Sequence, residues 1–164
     1  MNMDSSANHF IIEEELIPLV RDRLEAGYAV RYLSFRGISM LPMLRQGKDS
    51  VELSPLPNRL QKYDLPVYRR SSGQYVMHRV VDVKADYYIC MGDNTETFEK
   101  VYPEQMLGIV SAFKRGQQRI EVTNPVYQLY CRLWRPLRPI RKAYKGAKKQ
   151  AIRILKKIIS VFDF

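Results

Sequence analysis

The sequence predicts a mainly β fold, α+β overall, in which a compact antiparallel β domain carries a short N-terminal helix and a basic amphipathic helical tail. Three observations predict it. From Tyr28 to Val122, short runs rich in Val, Tyr and Ile alternate with clusters of Gly, Pro, Ser and Asn. On either side of that stretch, apolar residues recur at helical spacing instead. Charge divides the chain the same way: residues 1–122 hold 16 Lys+Arg and 16 Asp+Glu, whereas residues 123–164 hold 11 basic residues and one acid, Asp163. The net +10 therefore belongs to the last 42 residues.

With 164 residues and 46% hydrophobic composition, the chain is long enough for one buried core, which excludes wholesale disorder. Its two cysteines, Cys90 and Cys131, cannot form a disulfide-stapled framework. No CxxC or Cys/His cluster points to a metal, and no cofactor is expected. There is no apolar run of membrane-spanning length, and the acidic start MNMDSSANHFIIEEE lacks the pattern of a secretory signal. The expected location is therefore cytoplasmic, or peripheral at the inner face of the membrane.

Residues 1–27 are read as a helical segment. Apolar positions 12, 16, 19, 20 and 24 follow the helical period, Pro18 would kink or interrupt a long helix so that a short or broken one is expected, and Gly27 is placed to cap it. Residues 28–122 form the β-rich domain, with strands expected at 29–36, 50–54, 65–70, 74–83, 86–91, 106–113 and 117–122. Ser71-Ser72-Gly73 and Lys84-Ala85 are read as tight turns, and the two prolines within 54–64 exclude a central strand there. Asn124-Pro125 opens the tail, residues 123–164, as a helix start. Pro136 and Pro139 divide that tail into two helical segments with a bend.

Three short segments in the β region carry candidate chemistry. Ser39 lies in Gly37-Ile38-Ser39-Met40-Leu41-Pro42, directly after a strand, where a break in the strand can seat a nucleophile and its own N–H can face an oxyanion. His78, in Tyr75-Val76-Met77-His78-Arg79-Val80, shares a strand face with Val76 and Val80. A histidine among valines is ordinarily a hydrogen-bonded core residue; it becomes a general base only with a hydroxyl in reach. Met91-Gly92-Asp93-Asn94 is ordinary turn chemistry taken alone, and in a site its acid could orient His78.

In this order, Ser-Met-x-Pro, His-Arg-Val, Gly-Asp-Asn and then Leu107-Gly108-Ile109-Val110, the landmarks resemble those of the type I signal peptidase family, whose β-rich catalytic fold is shared with the self-cleaving SOS-repressor peptidases. The resemblance covers about residues 33–112. It implies a serine endopeptidase in which Ser39 is the acyl-forming nucleophile. His78 is the base, as in the archaeal and endoplasmic-reticulum branch, where most bacterial relatives carry lysine. Either Asp93 or Glu99 is the third, acidic member. Met40 and Pro42 would line the substrate side, and the substrate would be a peptide or precursor protein, as in signal peptide processing. The chain departs from the pattern in three ways. Gly47-Lys48-Asp49 is one residue longer than the usual Gly-Asp, Gly37 leaves no hydroxyl two residues before Ser39, and no membrane anchor precedes the serine segment. The alternative is a catalytically inactive relative that serves as a peptide-binding or membrane-surface adaptor.

For the tail, residues 123–164, the composition points to an anionic membrane surface, with the aromatic residues Tyr130, Trp134, Tyr144 and Phe162 among its apolar positions. Packing of the apolar stripe on the body or in a dimer is the plainer reading. No recognition motif supports a specific nucleic-acid partner.

Overall fold

The computed structural model describes residues 14–134 continuously and then positions 136–137, 139–140, 143–144, 146–147 and 150. The first residues of the expected N-terminal helix and the tail positions from 151 onward lie outside the described residues. The chain divides into two compact units after Gln128, so the N-terminal helical segment belongs to the same unit as the β domain.

A 3-10 turn, Glu14–Leu16, leads into helix α1, Ile17–Glu25. Pro18 sits in the first helical turn, where its missing N–H would have had no partner. It therefore starts the helix without kinking it, and the helix is short, one of the two outcomes the sequence expectation left open. Ile17, Val20 and Leu24 are buried, while Leu16 and Leu19 face outward, so the packed stripe is rotated from the one the periodicity suggested. Gly27, at φ +84°, ends the helix as expected, with its N–H and that of Tyr28 donating to the carbonyls of Leu24 and Arg23.

The strands form two antiparallel sheets. The first is six-stranded, in the order β1 (Val30–Leu33), β2 (Asp49–Ser54), β8 (Met106–Arg115), β3 (Pro66–Arg69) and β4 (Tyr75–Met77), with β9 (Gln118–Glu121) also paired to β8. The second contains β5 (Arg79–Val83), β6 (Tyr88–Met91) and β7 (Glu99–Val101). Strand β8 is long enough to pair with three neighbours, Val51 opposite Phe113 on one side and Val67 opposite Gly108 on the other. Helix α1 seats on this strand through a glycine: a Cβ at Gly108 would stand 2.7 Å from Leu24 Cδ1.

Two features depart from the sequence reading. The run 74–83 is not one strand. Its first half, β4, belongs to the six-stranded sheet and its second half, β5, to the three-stranded sheet, with His78 between them. Strand β7, Glu-Lys-Val, was not anticipated, because three residues carry too little alternation to register. The turn at 71–73 falls where expected, closed by Arg70 N–H to the Gln74 carbonyl, while the turn expected at 84–85 extends to Tyr87, with Lys84 N–H donating to the Tyr87 carbonyl, so β6 begins at Tyr88 and not at Asp86.

Tyr68, Val76, Val80, Tyr88, Cys90, Val101 and Met106 pack into one buried cluster drawn from both sheets, with Leu60 closing it from the 54–64 loop. Burying each such side chain contributes roughly 1.5–3 kcal/mol, which fixes the corner at which His78 lies. Helix α2, Pro125–Trp134, begins with Asn124 Oδ1 accepting from the N–H groups of Val126 and Tyr127, the side-chain cap that the Asn-Pro start implied. Among the described residues, no helix is long and apolar enough to cross a membrane.

Candidate active site

The loop carrying Ser39 leaves β1 and returns to β2, and local bonds hold it at both ends. Gly37 N–H donates to Gln46 Oε1 at 2.8 Å. Arg45 makes a two-pronged contact with the buried Asp49, at 3.0 and 2.7 Å, while its backbone N–H donates to the same carboxylate. Gly47-Lys48-Asp49 thus forms a brace for the loop. Gly37 sits at φ +111°, where a side chain would be strained. That conformation explains why no hydroxyl-bearing residue stands two positions before Ser39.

The Gly-Asp-Asn turn clamps the serine from the other side. Asn94 N–H donates to the Ser39 carbonyl at 2.7 Å, and Asn94 Nδ2 donates to the Ile38 carbonyl at 3.2 Å. Gly92 lies at the meeting point. A Cβ placed there would stand 2.8 Å from the Ser39 carbonyl oxygen, 3.0 Å from Thr95 Oγ1 and 3.1 Å from His78 Nε2. Only a glycine lets the serine segment and the imidazole edge approach this closely, so the three sequence landmarks converge on one point. Ser39 Oγ and His78 Nε2 are both buried, and no hydrogen bond joins the two atoms.

The far side of the imidazole is fixed by a polar group that the sequence reading only half identified. His78 Nδ1 lies 3.2 Å from Glu99 Oε1 and 3.1 Å from the Tyr68 hydroxyl, which itself donates to Glu99 Oε2 at 2.9 Å. Arg70 also grips Glu99, with Nε donating to Oε2 at 2.9 Å and Nη2 to Oε1. Burial pushes the Glu99 carboxyl upward, but the hydrogen bonds from His78 and Arg70 outweigh it and hold the group well below the usual carboxylate range. Burial, followed by the charge of Glu99, pushes the Tyr68 hydroxyl far above its ordinary value, so it remains a donor. An ionised carboxylate only accepts hydrogen bonds, and the Tyr68 proton is directed at Glu99. Nδ1 therefore faces two acceptors and carries the ring proton, which assigns the lone pair of the neutral ring to Nε2.

Asp93 is placed elsewhere. It forms a buried bidentate pair with Arg79, at 2.8 and 2.7 Å, and Arg79 continues to the Tyr127 hydroxyl at 2.9 Å and the Tyr63 carbonyl at 3.2 Å. Met43, from the serine loop, contacts the same guanidinium through its sulfur at 3.0 Å. Of the two acids left open, Glu99 contacts the histidine and Asp93 locks the Gly-Asp-Asn turn to β5. Met40 is 1% exposed and belongs to the core, so its side chain is not presented to a substrate; Pro42 is exposed.

Sequence reasoning missed Tyr68 and Arg70. Tyr68 reads as a core strand residue, and Arg70 follows an exposed Arg69 with nothing local to separate the two. Both sit 29 to 31 residues from Glu99, so only the tertiary fold joins them. Beside them lies an open groove of about 720 Å3, lined by Tyr68, Arg70, Ser72, Glu99, Tyr102 and Gln105 among others. Compared with protein-family models, curated proteins and solved structures, the chain finds no match in any of the three.

Proposed function

We propose that the chain is a serine endopeptidase of the signal peptidase type, acting on a peptide or precursor protein through Ser39, His78 and Glu99. The observation that carries this reading is that His78 Nδ1 faces Glu99 Oε1 and the Tyr68 hydroxyl. Glu99 and Tyr68 hold the proton on Nδ1, which turns a basic Nε2 toward the Gly92 junction where the serine segment lies.

In the forward reaction, His78 Nε2 takes the Ser39 hydroxyl proton as Oγ attacks the scissile carbonyl. Glu99 stabilises the imidazolium that forms. The tetrahedral oxyanion is met by backbone N–H groups, that of Ser39 among them, because Gly37 brings no side-chain donor. Collapse breaks the C–N bond, and the imidazolium returns the proton to the departing amine. Water, activated by the same Nε2, then releases the acyl group from Ser39. The first proton transfer needs Ser39 Oγ and His78 Nε2, both buried, within hydrogen-bond reach of each other.

A second reading, a catalytically inactive relative serving as a peptide-binding or membrane-adaptor module, draws on the burial of Ser39, which is 1% exposed. Cleavage of a degenerate peptide library, read by mass spectrometry, separates the two. The peptidase reading expects products from the wild type and none from folded Ser39→Ala or His78→Ala. Equal product from either variant overturns it, and binding without cleavage by all three proteins supports the adaptor.

A further inference from the structure

Helix α2 buries one face and leaves a different apolar face exposed. Tyr127 and Cys131 are buried, whereas Val126, Leu129 and Leu133 are 76, 55 and 46% exposed. The exposed apolar series continues through Leu137, Ile140 and Tyr144 at 42, 65 and 70%. Positions 139–140, 143–144 and 146–147 are helical, and Leu137 N–H donates to the Leu133 carbonyl at 3.1 Å.

Within α2, which ends at Trp134, the exposed apolar residues share one narrow face. At about 100° per residue, Val126, Leu129 and Leu133 of α2 project into an arc of about 60°. Residues 123–150 hold eight Lys and Arg, at positions 132 to 149, and no Asp or Glu. Tyr130 and Trp134 stack at 5.1 Å between centroids on the flank of that α2 face. Aromatic rings of this kind suit a boundary that is apolar on one side and wet on the other.

A solvated helix needs no such apolar face, and a face meant for the core would be covered. The charge decides the occupant. A uniformly basic helix repels a second copy of itself, while each Lys or Arg at an anionic leaflet raises binding roughly fivefold. Exposed apolar residues add nothing to phosphate neutralisation, which disfavours nucleic acid. We propose that the exposed apolar residues Leu129, Leu133, Leu137, Ile140 and Tyr144 lie in the headgroup layer of an anionic lipid bilayer, with the basic residues of the same stretch drawn to the lipid phosphates.

This inference does not depend on the peptidase reading. The test is flotation of the full-length protein with vesicles of phosphatidylcholine, alone or mixed with phosphatidylglycerol. The expected result is binding to the anionic vesicles only, weakened by added salt. Leu133→Glu with Ile140→Glu, both at exposed positions, should lower binding at least tenfold with the unfolding midpoint unchanged. Arg132→Gln with Arg135→Gln and Arg138→Gln should lower it by a similar factor. Absence of flotation at low salt overturns the proposal, as does flotation that survives the two glutamates. A dimer that those glutamates dissolve, in a protein that ignores vesicles, assigns the face to a second copy. Binding of duplex DNA that vesicles do not displace assigns it to nucleic acid. Either of these last two results also overturns the proposal.

Discussion

His78 Nδ1 lies 3.2 Å from Glu99 Oε1, and the carboxylate is shared with Tyr68 and Arg70. This pair joins a residue at the junction of the two sheets to the first residue of β7. It fixes the ring's orientation and its tautomer together. Replacing Glu99 with Gln leaves the shape but offers an amide that can present N–H to Nδ1, favouring the wrong tautomer. We expect Glu99→Gln to lower peptide turnover by about 10³–10⁴-fold while the protein stays folded. Steady-state kinetics beside a circular dichroism spectrum would show it; turnover within a factor of two of wild type would remove Glu99 from the site.

Asp93 should behave in the opposite way. Asp93→Asn leaves Arg79, 3% exposed, as a buried charge without its carboxylate, which costs about 3–5 kcal/mol where such pairs have been broken. The loss should appear in a denaturant titration. Wild-type stability in Asp93→Asn, combined with lost turnover, would return Asp93 to a catalytic role.

Gly92→Ala tests the convergence of the three segments. The added Cβ meets the Ser39 carbonyl oxygen at 2.8 Å, a backbone atom that cannot rotate away. Overpacking of this kind costs about 1–3 kcal/mol, and a displaced reacting group can lose ~10² in rate. We expect both effects in one variant, by thermal unfolding and by peptide cleavage.

The Glu99 carboxyl also gives the stability a pH signature. Its value in the folded chain lies below the ordinary 4.5, so the unfolded chain binds its proton more readily as the pH falls. Its contribution is present in full above that ordinary value and is lost as acidification approaches the folded value. Glu99→Gln should flatten the acid limb of a stability-versus-pH curve; an unchanged limb would show that the pair contributes nothing.

Cys90 is fully buried, and burial followed by the charge of Glu99 pushes its thiol up to about 12. In a Cys131→Ser background at neutral pH, Cys90 should react with a thiol reagent only at the rate of unfolding. Rapid labelling of the folded protein would contradict the packing of that cluster.

Much of the β domain was legible because alternation and turn chemistry agree: the 71–73 hairpin and the Gly27 cap fall where their residues place them. The break at His78 was not. Tyr75-Val76-Met77-His78-Arg79-Val80-Val81 reads as one strand because both halves are buried and no glycine or proline marks the passage between sheets. The Ser39, His78 and Gly92 segments were found by their order along the chain. The choice between Asp93 and Glu99 was beyond sequence, since Asp93 lies in the recognisable motif and Glu99 in a three-residue strand without pattern. Which acid contacts the ring depends on how β7 pairs with β6, Glu99 opposite Cys90.

The central claim is that His78 activates Ser39 as a nucleophile. The most direct measurement is covalent capture of that hydroxyl by an alkyl fluorophosphonate, located by mass spectrometry of the digested protein. We expect phosphonylation on the peptide containing Ser39 in the wild type, strongly reduced in folded His78→Ala and absent in Ser39→Ala. A folded wild type with unmodified Ser39, or equal modification when His78 is replaced, would contradict it.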